Sequence, residues 1–406
     1  MNHFPLRMLL ETRDFLAQCT FFAQHPKAVQ YTELAQKLLS SIKDYNIAAV
    51  FLGDMDLNQV APVFERINSS GRRLTIVDLM RAATWKEGAF DLNDAIKAVR
   101  EACETKNFAE IEEGHILRSI SAACDFGINK GDIEKLRNVT SEQLTTAARS
   151  CIDAYQLAVD FLTTEHPLSS LSYVPYNLQL TYLVEFFRLC PNPTSSQIAA
   201  LKGWFWKSSF SRYFGTTNTA QISKDLSDIR QAASGDISAL EIQGDIKLDN
   251  FLRDTFALNK ATSKAFALLL AHKNPRNLVH GSQIDTRAAL AITNRHEFHH
   301  IFPQAFLKAE KYSETEISYH LNICLLKSGA NKSISGTRPS EYFQMLINQL
   351  GNDIEDVLSS NYISLDALYA ALDDNYEAFI DARFKTLSEA INNLVPNSSL
   401  DQIDSN

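Results

Sequence analysis

Apolar side chains recur every three or four positions through most of the first 214 residues, and that spacing commits the chain to helices. The runs at 4–23, 30–50, 75–90, 92–104, 115–126, 141–163 and 176–189 each place one apolar stripe along a helical face. Polar clusters separate them: NSSG (68–71), GINKGD (127–132), PNPTSS (191–196) and GTTNTA (215–220), all rich in residues that stop or cap helices. Residues 201–214, LKGWFWKSSFSRYF, read as an aromatic helix. Its Trp204, Trp206, Phe210 and Tyr213 fit one helical side and are expected in a core, with stacking on an exposed base as the alternative. No repeat of fixed period is present, and the polar end NSSLDQIDSN reads as a flexible tail.

The pattern changes near residue 275. NPRNLVHGSQID is a long polar connection, followed by two short β-like runs, EFHHIFP (297–303) and NICLLKS (322–328). The helix-like QAFLKAEKY lies between them, and helices are expected again at 339–350, 364–372 and 374–394. The fold class is therefore mainly α, with helical N-terminal and middle regions and a small α+β module near the C-terminus.

Six scattered cysteines, Cys19, Cys103, Cys124, Cys151, Cys190 and Cys324, form no C-x-x-C pair and suit a reducing cytoplasm. The N-terminus has no basic region followed by an apolar run, and the longest apolar stretch, AFALLLA (265–271), is too short to span a bilayer. A cytoplasmic protein with no membrane partner is expected. The net charge of −9 disfavours a polyanion partner at first sight. From Lys260 to Glu341, however, 11 Lys and Arg face six Asp and Glu, a local +5, and six of the ten histidines fall there. A basic island in an acidic chain suits contact with backbone phosphates, or simply a solvated face.

Within the island lies HEFHHIFP (296–303), which admits two readings. As H-E-x-x-H it would be a zinc metalloprotease, with His296 and His300 one turn apart on one helical face. Pro303 opposes this, because the residue before a proline leaves the helical region, and no clear third ligand follows. As His-His-x-x-Pro it opens the first strand of a ββα-metal, or HNH, nuclease. Neighbouring strand residues point to opposite faces, so His299 would hold a divalent cation while His300 faces water. Asn322 on the second strand would orient His300, and Asn331, nine positions on, would be the second metal ligand, with His296 and His320 as reserve ligands. A neutral imidazole can take a proton from water near neutral pH, and a metal can stabilise the departing 3′ oxygen. Asn322 ending a turn and Asn331 capping a helix are the plain structural alternatives.

VFERINSSGRRLTIVDLMRAATW (63–85) resembles the F-E-x-x-N-x-x-G-x-x-L-x-x-x-D-L-x-R-A segment of GmrSD-type modification-dependent (type IV) restriction endonucleases. HHIFPQAFL…LNICLLKSGANKSISGTRPSEYF (299–343) is similar to that family's nuclease segment, in the same order along the chain. The resemblance runs from about residue 50 to 345. It implies a partial sensing domain over 1–90, a helical middle over 91–255, an HNH nuclease domain over 256–395 and a tail over 396–406. It implies DNA cleavage in anti-phage defence, with modified phage DNA as substrate and Mg²⁺ or Mn²⁺ as cofactor. On this reading His300 and Asn322 are catalytic, and His299 and Asn331 bind metal. Arg295, Lys327, Lys332 and Arg338 contact phosphate. Asn68, Gly71, Arg73, Asp78 and Arg81 belong to the nucleotide or sensing segment.

Two departures qualify what the resemblance implies. The family's upstream G-Q-Q-R motif does not occur, so the chain is expected to be N-terminally short. A separate G-Q-Q-R-bearing subunit is a candidate partner, and nucleotide hydrolysis by this chain alone is not expected. The family often has an acidic residue where His299 stands, and histidine shifts preference towards Mn²⁺, Ni²⁺ or Zn²⁺. A non-catalytic DNA-binding or regulatory subunit is the alternative function. Thr75 and Asp78 also fit a capping box, and Gly71 a tight turn, on purely structural grounds.

Overall fold

The computed structural model describes residues 4–46, 63, 74–86, 88–291, 298–326 and 337–395. The chain is mainly helical and divides into two compact units, 1–67 and 68–406. In the first, α1 (Thr12–Phe22) and α2 (Ala28–Lys43) enclose a small core of Leu9, Phe15 and Ala35, with the Phe4 ring 5.5 Å from that of Phe15.

The second unit begins with α3 (Ile76–Thr84), α4 (Leu92–Cys103), α5 (Glu113–Ala123), α6 (Ser141–Glu165), α7 (Asn177–Leu189) and α8 (Ser195–Phe210). It continues with α9 (Thr219–Ala233) and α10 (Ala261–His272). Then come β1 (Phe298–His300), α11 (Gln304–Ala309), β2 (Ile323–Leu325), α12 (Pro339–Leu350), α13 (Ile354–Ser360), α14 (Leu365–Leu372) and α15 (Tyr376–Leu394). One-turn helices are named by residue.

Local chemistry sets the helix starts. Thr75 and Asp78 form the expected capping box of α3, with Asp78 accepting the Thr75 N–H at 2.9 Å and Thr75 Oγ1 that of Asp78 at 3.2 Å. Thr140 with Gln143 and Thr194 with Gln197 do the same for α6 and α8. The Thr194 cap explains why the aromatic helix starts at Ser195 rather than 201. The 75–90 stretch is not one helix: α3 stops at Thr84, and Lys86 bridges back to Phe90 over Gly88, whose φ of 69° suits glycine. Helix α10 was not legible by periodicity because it is apolar on every side; Ala265 to Ala271 are all buried.

One continuous core runs from Val77 to Val395. Trp204, Trp206 and Phe210 lie in it, which settles them as packing residues. Glu185 on α7 is 2% exposed and receives Arg188 Nε at 2.8 Å and Arg230 Nε from α9 at 2.7 Å. Arg230 also donates to Ala122 O and Phe126 O, so this charge triad joins α5, α7 and α9.

Burial pulls the His115 and His320 imidazoles down to about 4, and the fully buried His166, packed against Phe205 and Trp206, well below its ordinary range. Between pH 6.5 and 4 the unfolded chain therefore binds protons that the native chain refuses. Stability is full above the unfolded value and is lost as pH falls towards the folded one. The expected result is a melting temperature that drops steadily from pH 7 to pH 4.5. A flat profile over that range would contradict the buried neutral state.

Candidate functional site

β1 and β2 pair antiparallel, with Phe298 opposite Leu325, His299 opposite Cys324 and His300 opposite Ile323. The ladder extends one step further, Ile301 N–H donating to Asn322 O at 2.8 Å. Phe298–His300 being strand removes the helical turn that the H-E-x-x-H reading requires, so that reading fails on geometry. His296, its other histidine, lies outside the described residues.

Strand alternation puts His299 on the face of Cys324, and His300 on the face of Phe298, whose ring packs 4.9 Å from Phe256. Both histidines are half-buried. The His300 imidazole is pulled down to about 4, mainly by burial, then by His299 and Lys308, with Glu314 opposing. Lys308 and Glu314 pair with each other at 2.9 Å. The Gln304 side-chain nitrogen lies 3.2 and 3.3 Å from the two ring nitrogens of His300. Near-equal distances to both place the amide beside the ring, which it steadies.

Asn322 is fully buried. Its Oδ1 accepts the Phe302 N–H at 2.8 Å, and its Nδ2 donates to Phe302 O at 3.2 Å and Ile317 O at 2.9 Å. These bonds use both N–H groups and one lone pair of the amide, and they go to the backbone of Phe302, two residues beyond His300, and of Ile317 rather than to the His300 ring. Asn322 therefore acts on His300 through the chain. Tyr342 on α12 adds a second tie, its hydroxyl donating to Ile301 O at 2.5 Å.

His320, a spare ligand by sequence, is structural. Its ring stacks on Phe266 with centroids 4.7 Å apart, Nδ1 lies 2.8 Å from Phe251 O, and Nε2 lies 3.0 Å from Ser263 Oγ. The carbonyl can only accept, so Nδ1 carries the proton and neither nitrogen is left for a metal. The segment just before α10 shares this support: Asp254 O accepts the His320 N–H, and Phe256 N–H donates to Ser318 O. His320→Ala is expected to cost about 3 kcal/mol, lowering the melting temperature by roughly 4 °C and leaving metal affinity unchanged. Metal titration of the variant would expose a ligand role if affinity fell.

The remaining sequence candidates fall in three groups. Asn331, Arg295, Lys327, Lys332, Asn68, Gly71 and Arg73 lie outside the described residues. Arg338 is exposed but occupied, paired with Asp374 at 2.8 Å and lying 5.5 Å over the Phe306 ring. Asp78 caps α3, and Arg81 reaches Asp78 at 3.1 Å, Asn93 at 2.7 Å and Glu113 at 2.5 Å. Arg81 thus clamps α3, α4 and α5 together. Sequence reading missed Gln304, Tyr342 and Arg383. Only Gln304 carries a signal, standing one turn past His300 directly after Pro303.

Among the described residues no three His, Cys, Asp or Glu side chains gather at one point. His299 offers one imidazole, while burial pushes the facing Cys324 thiol up to about 12, leaving it protonated and a poor ligand. The described donors on this face do not by themselves make a metal site.

No family model matches the chain. An uncharacterised protein of Methanocaldococcus jannaschii is 22% identical over 438 aligned residues, which cover 97% of this chain and 73% of that protein. None of the helices described is long and apolar enough to cross a membrane.

Proposed function

We propose that the chain is a metal-dependent DNA endonuclease of the GmrSD-type, modification-dependent restriction class, with β1, β2 and the segment leading to α12 forming an HNH module. The observation that supports this best is the hairpin itself. Two adjacent histidines, on opposite faces of a three-residue strand, sit beside an asparagine that locks the strand's exit. His300 is the general base: neutral at physiological pH, it takes the proton from the attacking water on its unprotonated ring nitrogen. Gln304 and Asn322 fix its ring and its backbone. A divalent ion, when bound, would be held by His299 with a donor such as Asn331, and would stabilise charge on the phosphate. Lys308 borders the base and would meet the DNA backbone, joined by Arg338 if it exchanges Asp374 for a phosphate.

Incubating the full chain with Mn²⁺ and either plain or cytosine-modified phage DNA tests the reading. EDTA-sensitive cleavage of the modified DNA is the expected result. Tight binding without cleavage, over a range of divalent ions, would instead favour a DNA-binding or regulatory subunit.

A further inference from the structure

Arg383, on α15, is fully buried. Its Nη1 donates to Leu321 O at 2.5 Å, and its Nη2 to Ile323 O at 2.8 Å and Asn361 O at 3.2 Å, while Nε is buried without an acceptor. The groups that act on its charge are Cys324, Tyr376, Tyr342 and Tyr362, each neutral at pH 7. Burial lowers the guanidinium to about 10, so it stays cationic at neutral pH. Among the described residues no carboxylate pairs with it; a buried charge that meets carbonyls and neutral groups is expensive, and an apolar side chain would join α15 to the sheet at less cost.

What an apolar side chain cannot do is grip the two carbonyls that flank a single residue. Leu321 and Ile323 bracket Asn322, and holding both fixes the peptide plane that enters Asn322 and the plane that leaves Ile323. Asn322 in turn meets the N–H and C=O of Phe302, and Tyr342 holds Ile301 O from the other side.

We propose that Arg383 is a positioning residue for His300, acting through the chain of bonds from Arg383 to the Leu321 and Ile323 carbonyls that bracket Asn322, from the Asn322 amide to Phe302, and so to the strand end that carries the base. The catalytic half of this inference rests on the nuclease reading above; the structural half does not. Arg383 touches neither substrate nor reacting atoms. Its substitution should move the base rather than weaken DNA binding, and small displacements of a catalytic group are costly in rate.

Arg383→Lys keeps the charge but cannot span two carbonyls; Arg383→Gln serves if the lysine protein does not fold. Two measurements on the full chain decide the matter. The first is amide hydrogen exchange. In the variant the Phe302 N–H should exchange at least about tenfold faster relative to amides of α6, because only the local clamp is loosened. Equal acceleration everywhere would show a merely global role and overturn the proposal.

The second is a kinetic cycle, run well below the melting temperature of every variant. Arg383→Lys should lower kcat on the order of 10- to 100-fold at nearly constant KM. Combined with Asn322→Ala, it should add little further loss, since both act through one path. Fully additive losses, or a raised KM at unchanged kcat, would overturn it. A wild-type chain that cuts no DNA refutes the nuclease reading alone, and the exchange measurement still decides for Arg383.

Discussion

Replacing His300 with alanine is expected to remove DNA cleavage by on the order of 10²–10⁴-fold while the fold and metal binding persist. The base sits at the end of a strand whose partner, exit and support are all made by other residues. Deleting its ring therefore leaves the β1–β2 ladder and the Asn322–Phe302 bonds in place. His299→Ala should behave differently: a lost ligand weakens metal affinity, so excess Mn²⁺ should restore part of the rate. The pH dependence separates the two roles further. An ordinary imidazole would lose activity below about 6.5. Burial holds His300 near 4, so the base stays neutral at lower pH, and the acid limb of kcat/KM should fall well under 6. Full cleavage by His300→Ala, on DNA that the parent cuts, would end the proposed mechanism.

The largest expected effect on stability lies far from the hairpin. Glu185→Gln leaves Arg188 and Arg230 facing each other without their carboxylate, in a site where Glu185 itself is 2% exposed. Removing one partner of a buried charge group costs about 3–5 kcal/mol. For a unit of this size that is a fall of roughly 4–7 °C in melting temperature. Arg188, 14% exposed, suffers most; Arg230, 32% exposed, recovers part of its hydration and keeps two carbonyl acceptors. Replacing all three residues with apolar side chains of similar volume should recover most of the loss, because no charge is then left unpaired. A melting temperature within about 2 °C of the parent for Glu185→Gln would show the triad to be solvated and dispensable.

The sequence by itself determined most of the local structure. Three-and-four spacing set the amphipathic helices, Thr75 with Asp78 set the start of α3, and Pro303 ended the strand at the place where a metalloprotease helix would have to continue. These are short-range effects, fixed by side chains within a turn of one another. The two short strands at 298–300 and 323–325 were legible for a similar reason: strand alternation and the loss of helical period are local signals.

Only the tertiary structure decided what those residues touch. By sequence Asn322 was a partner for the His300 ring; in the fold its amide goes to Phe302, because the ladder brings backbone rather than imidazole within reach. His320 resembled a ligand until Phe251 and Ser263, 69 and 57 residues away, claimed both of its nitrogens. Arg383 stands in a polar-looking helix, DARFK, and nothing in its neighbourhood marks it as buried. Its acceptors lie 62, 60 and 22 residues distant, on carbonyls that every sequence possesses. Backbone acceptors carry no residue identity, so bonds to them leave no trace in a sequence and emerge only when the chain is folded.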